Sequence, residues 1–527
     1  MPNRRVFIKQ AALGAAGVGI LSALPSLGFA SPSKGLNVLP RSMPEEQGVS
    51  SLAISKFLEA VKNSGQEFHS LMVIRHGHVI AEGWWYPYSA EHRQELYSLT
   101  KSFTGTAIGY AASEGLLSVE DPVIKFFEAD KPAEISDNLA ALKIKHLLSM
   151  SVGHAKDSIL IIEKSPPGTT WAKTFLSLPV VFEPGSQFMY NSGASYMLSA
   201  IINKVTGKTA HDYLKSRLYE PLDITNATWD ENVDGVSIGP SHLRIRTEDI
   251  AKFGQLYLQN GVWKGKQVLS KDWVATAGAK HIENGKYDSS WGYGYGYQFW
   301  LNPPGGYRAD GAFGQYSMIL PEEDAIVAIT SESMATKTTM QMVWDILVPA
   351  MKASAPLEKD RDAANQLKQT LAALTQEPPK MAATSPVAAT INAKNFVLEQ
   401  NPFDAKAVSF KFSGNTCVFT LKTEGKPDIV ITNGINHWIR DGNYKPEAHS
   451  LFSLRRIDFD SIVAASATWI NDNTLLLTWR FIETTHGDSL TCIFDGDNIT
   501  IKFLFSTNRL GKTPDDRADI KGNLKIS

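Results

Sequence analysis

The sequence predicts an α+β domain, in which an antiparallel sheet packs against helices, followed by an all-β domain. Strand-like patterns stand at both ends of the first part of the chain, with a helical region between them, as is typical of this architecture. A stretch rich in proline and small residues, 377–386, then interrupts these patterns. Beyond it the chain consists of short β-rich runs separated by Gly, Asn and Asp.

Residues 1–30 are predicted to be an export signal of the twin-arginine type rather than part of the fold. Arg4 and Arg5 precede an apolar stretch, 11–24, and small residues follow it. This stretch is short for a membrane-spanning helix, so stable membrane insertion is not expected, and an uncleaved anchor is the alternative. We expect a mature chain from about Ser31, located in the periplasm or outside the cell.

The first domain is predicted to span residues 36–355. Apolar residues three and four positions apart predict helices, and alternating or continuous apolar runs predict strands. The predicted helices are 52–61, a helix that begins at Ser98, 194–205 and a helix from Thr247. The predicted strands flank a hairpin turn at Gly77 and return at 293–300, 315–320 and 325–329.

A linker, 356–393, is predicted to join the two domains. It contains a helix, 361–374, and the proline-rich stretch, which its composition predicts to be an extended, loosely packed tether. Residues 394–527 are predicted to form one barrel or sandwich, because several runs alternate apolar and polar residues. Cys417 and Cys492 lie in these runs. Export permits a disulfide between them, and two buried free thiols are the alternative.

The composition argues against several classes of function. The 527 residues are 43% hydrophobic and 20% charged, as expected of a globular protein, and a net charge of −2 gives no reason to expect nucleic acid. The sequence contains no cysteine cluster, His-Glu-x-x-His motif or dense carboxylate loop, so no metal or cofactor is expected. His76 and His78 flank Gly77 between strand-like runs, which favours a hairpin over a metal site.

Ser98-Leu-Thr-Lys101 is the strongest candidate for a catalytic motif. Residues three apart share one face of a helix, so the Ser98 hydroxyl and the Lys101 amine can meet. A lysine whose pKa is lowered by burial can remove the proton from a serine nucleophile. A second copy of the spacing, 31–34, contains a proline and is interpreted as chance. The alternative is an ordinary serine and lysine on an amphipathic helix.

Two further segments supply groups that a serine nucleophile needs. Tyr190 precedes a predicted helix, and near a cationic lysine its phenol would become more acidic and carry protons. Gly311 precedes a predicted strand and would let the backbone approach a substrate. The backbone N–H groups of Ser98 and Ala312 could then form an oxyanion hole. The alternatives are a packing tyrosine and a simple glycine-containing hairpin.

These motifs occur in the order Ser98-Leu-Thr-Lys101, Tyr190-Asn191-Ser192 and Ala309-Asp310-Gly311. With them, residues of about 40–350 resemble the serine hydrolases of the penicillin-recognising fold, and most closely the class C β-lactamase-like group. That group includes family VIII carboxylesterases, D-aminopeptidases, DD-peptidases and 6-aminohexanoate-dimer hydrolases. The resemblance implies a β-lactamase/transpeptidase-like domain with a helical subdomain and, as in some members, a lipocalin-like C-terminal barrel.

The chain departs from the family's pattern at two positions. The family's third motif usually opens with Lys or His, where this chain has Ala309. Ser192 replaces the asparagine that contacts a substrate amide, and Asn191 is displaced by one. The substrate-binding residues implied by the resemblance, together with Trp291 as an expected pocket residue, are Asn191, Ser192, Ala309, Asp310 and Gly311.

The sequence therefore predicts an exported serine hydrolase of carboxylesterase or amidase type, which cleaves a small ester or amide through a Ser98 acyl-enzyme. Both departures remove groups suited to penicillins, cephalosporins and free D-Ala termini. One alternative is a D-amino-acid peptidase, DD-peptidase or β-lactamase that acts on cell-wall-type substrates. Another is a catalytically inactive peptidoglycan-binding protein. The expected partner is a small or peptide-like substrate, and the C-terminal domain is a candidate for cell-wall contact.

Overall fold

The first domain is built on a six-stranded antiparallel sheet. The computed structural model describes residues 38–285, 290–444 and 461–525, so the predicted export signal lies outside the described residues. The strands of this sheet are β1 (Glu67–Arg75), β2 (His78–Trp84), β8 (Trp300–Leu301), β9 (Tyr307–Gly311), β10 (Gln315–Leu320) and β11 (Ala325–Glu332). Their order across the sheet is β2-β1-β11-β10-β9-β8.

Two short sheets and a set of helices complete this domain and its connection to the next. The short strands are β3 (Gln94–Glu95), β4 (Thr228–Trp229) and β5 (Leu243–Ile245), then β6 (Val262–Trp263) and β7 (Lys266–Gln267). The first eight helices are α1 (Ser51–Ser64), α2 (Thr100–Ser113), α3 (Asp137–Ala141), α4 (Ile144–Leu148), α5 (Ile159–Ile162), α6 (Trp171–Ser177), α7 (Ser192–Thr206) and α8 (Ala210–Leu214). They are followed by α9 (Thr247–Leu258), α10 (Lys271–Gly278), α11 (Thr336–Met342), α12 (Val348–Ala350), α13 (Arg361–Ala372) and α14 (Pro386–Ile391).

The central sheet is buried on both faces because successive side chains of a strand point in opposite directions. On β1, Met72 and Ile74 belong to an apolar core that includes Phe103 of α2. Leu71 and Val73 belong to a second core on the other face, against α1 and α13. The predicted antiparallel sheet with helices packed on it is therefore confirmed.

One predicted strand, 293–300, is wrong: only Trp300 belongs to a strand, Tyr295 forms isolated bridges, and the rest of the segment is turn, bend or irregular backbone. Gly294 has φ of 112° and Gln298 has φ of 65°, and a strand requires negative φ. Apolar and aromatic residues in this segment imitate a strand pattern, but the interspersed glycines allow a tighter path. The hairpin at Gly77 and the strands after residue 314 form as predicted.

The C-terminal region forms a closed nine-stranded barrel. Sheet neighbours run β15-β14-β13-β12-β21-β20-β19-β18-β17, and β15 pairs with β17 to close the ring, with β16 added beside β17. The strands are β12 (Asn395–Leu398), β13 (Ala405–Ser413), β14 (Thr416–Thr423), β15 (Ile429–Ile435), β16 (Ile439–Tyr444), β17 (Ser461–Asn471), β18 (Thr474–Phe481), β19 (Gly487–Asp495), β20 (Asn498–Phe505) and β21 (Ile520–Leu524). One helix, α15 (Ser506–Gly511), follows β20.

Large aromatic side chains fill the interior of the barrel. Trp469 and Trp479 are fully buried there, in contact with Phe412 of β13 and Phe419 of β14 across the interior. Alternation of buried and more exposed residues along β14 and β20 matches the alternation in their sequence. Cys417 and Cys492 are both buried in this core as unpaired thiols.

The segment between the domains is not the loosely packed tether that its composition predicts. α13 packs against α1, with Leu367 buried in the sheet's second core. Further along, Gln376 N donates to Tyr86 O at 2.8 Å, and Met381 N donates to Thr468 Oγ1 at 2.9 Å. Backbone groups of an extended chain need partners when neighbours cover them, and here both domains supply those partners.

No helix in the described part of the chain combines the length and the hydropathy that crossing a bilayer requires.

Candidate active site

Ser98 lies in a one-turn 3₁₀ segment, Tyr97–Leu99, immediately before α2. Lys101 is on the first turn of α2, and its Nζ lies 3.1 Å from Ser98 Oγ. The same Nζ donates to the carbonyl of Pro240 at 3.1 Å. The Pro240 contact fixes the amine beside the hydroxyl, so the structure brings together the two groups of the first motif.

Burial lowers the pKa of Lys101 to about 7, and the nearby Asp157 carboxylate only partly opposes this effect. The side chain is almost fully enclosed at 2% exposure, where an ammonium ion loses its hydration. About half of the amine is therefore neutral near pH 7 and able to accept the Ser98 proton.

Tyr190 is the third member of this cluster. Its hydroxyl hydrogen-bonds to Ser98, and Lys101 Nζ lies 5.0 Å from the centre of its ring. The ring stacks on Trp300, with centroids 5.4 Å apart. Burial raises the pKa of Tyr190, although the hydrogen bond with Ser98 opposes the rise. The expectation of a more acidic phenol is therefore wrong: the removal of water outweighs the hydrogen bond with Ser98, and the phenol stays protonated.

Gln298 holds together the two helices that present these groups. Ser102 of α2 donates to its backbone carbonyl at 2.7 Å, and Ser195 of α7 donates to its side-chain Oε1 at 2.6 Å. Its Nε2 donates to the carbonyls of Leu147 and Leu148. Because these bonds are buried, they fix α2 relative to α7 and so fix Ser98 relative to Tyr190.

Asn191 is placed differently from the implied substrate-binding role. Its side chain is fully buried and caps α7 by accepting from Gly193 N at 3.0 Å. The same oxygen accepts from Ser158 Oγ at 2.7 Å, and Nδ2 lies 3.1 Å from His154 Nδ1. The amide is therefore occupied within the protein, whereas Ser192 lines the cavity beside Ser98.

Gly311 of the third motif lies against the turn that carries Ser98. A Cβ on Gly311 would lie 2.2 Å from Leu96 O and 3.2 Å from Leu99 N, so the end of β9 is in direct contact with the Ser98 turn. Ala312 follows in the turn between β9 and β10 and is exposed. This places its backbone beside the nucleophile segment.

The other two members of the third motif are not among the residues that line the cavity. Ala309 is fully buried in the sheet core, and Asp310 accepts from Arg308 Nε at 2.9 Å and from Trp291 Nε1 at 3.1 Å. Burial raises the pKa of Asp310, against the effect of Arg308. Asp310 and Trp291 therefore bond to each other, and neither of them lines the cavity.

A cavity of about 240 Å³ opens at Ser98. Ser98, Lys101 and Ser192 are the sequence-predicted residues that line it. Sequence reasoning missed its other lining residues, which are Glu95, Tyr97, Pro240, Ser241, His242, Thr484 and His486. Tyr97 stands next to the motif and was open to prediction, whereas Thr484 and His486 come from the barrel, nearly 390 positions away in sequence. Across the described residues, no group of three or more His, Cys, Asp or Glu is arranged to hold a metal ion.

The fold and this cluster define the class of protein: a β-lactamase/transpeptidase-like serine hydrolase domain joined to a barrel. A family model described as Beta-lactamase matches residues 59–348, more than half of the chain. The chain belongs to the β-lactamase family.

Individual relatives are distant. The 6-aminohexanoate-dimer hydrolase of Paenarthrobacter ureafaciens is 23% identical over 279 residues, which are 49% of this chain and 71% of that protein. An Escherichia coli K12 protein named "Putative D-alanyl-D-alanine carboxypeptidase" is 26% identical over 168 residues, 29% of this chain and 38% of that protein. The solved structure of "Putative 6-aminohexanoate-dimer hydrolase from Bacillus anthracis" shares the fold, with a TM-score of 0.50 and 18% identity over 61% of this chain and 89% of that chain.

Proposed function

We propose that this protein is an exported serine hydrolase that cleaves a small ester or amide through an acyl-enzyme on Ser98. The observation that carries the proposal is the contact of Ser98 with both Lys101 and Tyr190, in which burial keeps about half of the lysine neutral near pH 7 and keeps the phenol protonated. A nucleophile, a base and an acid therefore occupy one site in the protonation states that acyl transfer needs.

The proposed reaction begins when neutral Lys101 takes the proton of Ser98 as Oγ attacks the substrate carbonyl. The backbone N–H groups of Ser98 and Ala312 stabilise the oxyanion that forms. The intermediate collapses, the bond to the leaving group breaks, and Tyr190 gives its proton to that group while it receives the proton held by Lys101. A water molecule then attacks the Ser98 ester with the same two residues as proton carriers, and the acid product leaves.

The cavity favours a small substrate without a free carboxylate. Its volume of about 240 Å³ lies below the range of about 300–1,000 Å³ that drug-sized ligands require. Glu95 adds a carboxylate to its lining, and Ala309 stands where the family usually has a cation for the substrate carboxylate. These features support a neutral ester or amide, and the name of the 6-aminohexanoate-dimer hydrolase relative supports an amide bond as one candidate target.

Peptidase or β-lactamase activity on cell-wall-type substrates is the second candidate. The relative named for D-alanyl-D-alanine carboxypeptidase activity supports it, and the absence of a cation at Ala309 argues against it. A catalytically inactive binding protein is the third, and it conflicts with the intact contacts of Ser98. We also propose that the protein is exported, because paired arginines and an apolar stretch precede Ser31.

Hydrolysis of p-nitrophenyl butyrate by residues 31–527 tests the proposal, with Ser98→Ala as the matched variant and a chromogenic cephalosporin as the competing substrate. We expect butyrate turnover that disappears in Ser98→Ala, together with little or no cephalosporin turnover. Butyrate turnover that persists in Ser98→Ala would place the nucleophile elsewhere. Faster turnover of the cephalosporin would favour the second candidate.

A further inference from the structure

The turn between β18 and β19 of the barrel, residues 482–486, lies on the rim of the active-site cavity. Thr484 and His486 from this turn line the cavity together with Ser98. The turn is fixed from outside the cavity, where Arg93 makes two bonds to Glu483 at 2.6 and 2.8 Å. Gln94 Nε2 also donates to the carbonyl of Ile482 at 2.7 Å. The barrel therefore contributes a defined wall to the site.

His486 connects this wall to the central sheet. Its Nδ1 lies 2.7 Å from Oε1 of Glu332, the last residue of β11, and Glu332 is fully buried. Ser506, also from the barrel, donates to the same carboxylate oxygen at 2.5 Å. A carboxylate can only accept from the imidazole, so Nδ1 carries the hydrogen of this bond. The ring is thereby held in one orientation, as in other carboxylate–histidine pairs.

The other ring nitrogen of His486 reaches the residue beside the nucleophile. Nε2 lies 2.5 Å from the hydroxyl of Tyr97, which precedes Ser98. Burial raises the pKa of Tyr97 well above its ordinary value, so this hydroxyl keeps its proton and donates it to Nε2. Glu332, His486 and Tyr97 therefore form a continuous hydrogen-bonded chain from the sheet, through the barrel, to the Ser98 turn.

Tyr97 needs such support because its backbone is strained. Its φ of 49° lies in the left-handed region, which is unfavourable for a non-glycine residue. Phe313, which follows Ala312, packs edge-on against both Tyr97 and His486, with centroids 5.1 and 4.8 Å away. The contacts that hold Tyr97 therefore also lie beside the proposed oxyanion hole, and a shift of Tyr97 would move the N–H of Ser98.

We propose that the barrel supplies a positioning residue to the hydrolase site: His486, oriented by Glu332, holds Tyr97 and through it the Ser98 turn. This inference rests on the proposed role of Ser98 as nucleophile. His486 takes no proton from the substrate in this proposal. Its effect is on the geometry of the nucleophile, so its loss lowers the rate of acylation more than it weakens substrate binding.

The test measures the rate at which a fluorophosphonate probe labels Ser98, which requires no knowledge of the natural substrate. The set comprises the wild-type chain, Tyr97→Phe, His486→Ala and the double variant, with Ser98→Ala as the blank. Each single variant is expected to label about tenfold more slowly, the equivalent of one hydrogen bond, and the double variant no more slowly than the slower single one. Effects that multiply in the double variant, or a wild-type rate in His486→Ala, would overturn the proposal.

Two conservative variants separate positioning from folding. In His486→Asn the side-chain amide lies near the position of the histidine Nδ1 and can still bond to Glu332. In His486→Gln the amide lies near the position of Nε2 and can still bond to Tyr97. We therefore expect His486→Asn to label as slowly as His486→Ala, and His486→Gln to recover most of the rate. The opposite order would show that His486 serves only as a domain contact.

Tyr86→Phe provides the interface control, because it removes the 3.5 Å hydrogen bond from the Tyr86 hydroxyl to the Trp438 carbonyl between the same two domains, away from the cavity. It is expected to label within about twofold of the wild-type rate, since one long hydrogen bond from a partly exposed side chain contributes little to distant geometry. Equal labelling of the wild-type chain and Ser98→Ala would contradict the proposed function and remove this inference with it. Ser98-dependent labelling that is unaffected in His486→Ala and His486→Asn would overturn the inference alone.

Discussion

Lys101 determines the chemistry of the site through its burial. A lysine in water is a cation at neutral pH and cannot act as a base, but the enclosure of Lys101 shifts its pKa to about 7. The base form is present above this pKa and is lost below it. The account therefore predicts that kcat/KM falls about tenfold per pH unit below pH 7 and reaches a plateau above it. A pH–rate profile checks this, and an inflection near the ordinary lysine pKa would contradict it.

The sequence was informative about individual residues where the chemistry is local. Ser98 and Lys101 lie three residues apart, so their contact follows from helix geometry alone. The interpretation of Asn191 as a substrate-binding residue was wrong. An asparagine just before a helix can either cap the helix or bind a substrate, and the sequence does not distinguish these two roles. His486 could not be found, since its contact with Tyr97 depends on how two domains meet.

At the scale of elements, the end of β9 and the Ser98 turn are in contact that only glycine permits. Gly311→Ala would place a methyl group 2.2 Å from Leu96 O, and only a movement of the backbone could relieve this steric clash. We expect a loss of about 1–3 kcal/mol in the free energy of unfolding and a large fall in kcat. Gly511→Ala is the matched control, because its nearest neighbours lie 3.9 Å away. Thermal melts and ester kinetics of both variants check this, and equal behaviour would contradict it.

The long helices α1, α2, α7, α9 and α13 could be predicted from periodicity, and the segment 293–300 shows why other elements could not. Its aromatic residues have the spacing of a strand, yet they serve as packing partners, as when Tyr295 lies 6.5 Å from the Tyr190 ring and 5.0 Å from that of Trp300. Apolar periodicity reports burial rather than hydrogen bonding. In a glycine-rich segment the backbone can bury the same side chains in turns.

At the scale of the whole molecule, one end of the sheet presents two opposed glutamates to the barrel. Glu67 and Glu332 are register partners on β1 and β11, and each carboxylate is bound by barrel residues. Although burial opposes it, Arg480 and Arg509 hold the pKa of Glu67 below its ordinary value. Like charges placed opposite one another destabilise a sheet unless each is compensated, and here the barrel supplies the compensating partners of both glutamates.

This arrangement predicts an acid-sensitive domain interface. A carboxylate with a lowered folded pKa contributes stability above its unfolded pKa of about 4.3, and that stability is lost as the pH falls through the folded value. The melting temperature should therefore fall below about pH 4.5, and Glu67→Gln should reduce this dependence while it lowers stability at pH 7. Glu120→Gln serves as the control, because its partners Lys143 and Lys145 form exposed pairs. Equal pH dependence in all three proteins would contradict the prediction.

The most direct test of the central claim is to trap the covalent intermediate. The chain would be mixed with p-nitrophenyl acetate, quenched in acid within the first turnover and examined by intact-protein mass spectrometry and peptide mapping. The account predicts one added acetyl group on the peptide that contains Ser98, and none in Ser98→Ala. An acetyl group on another residue, or product release with no acylated protein at any quench time, would contradict an acyl-enzyme at Ser98.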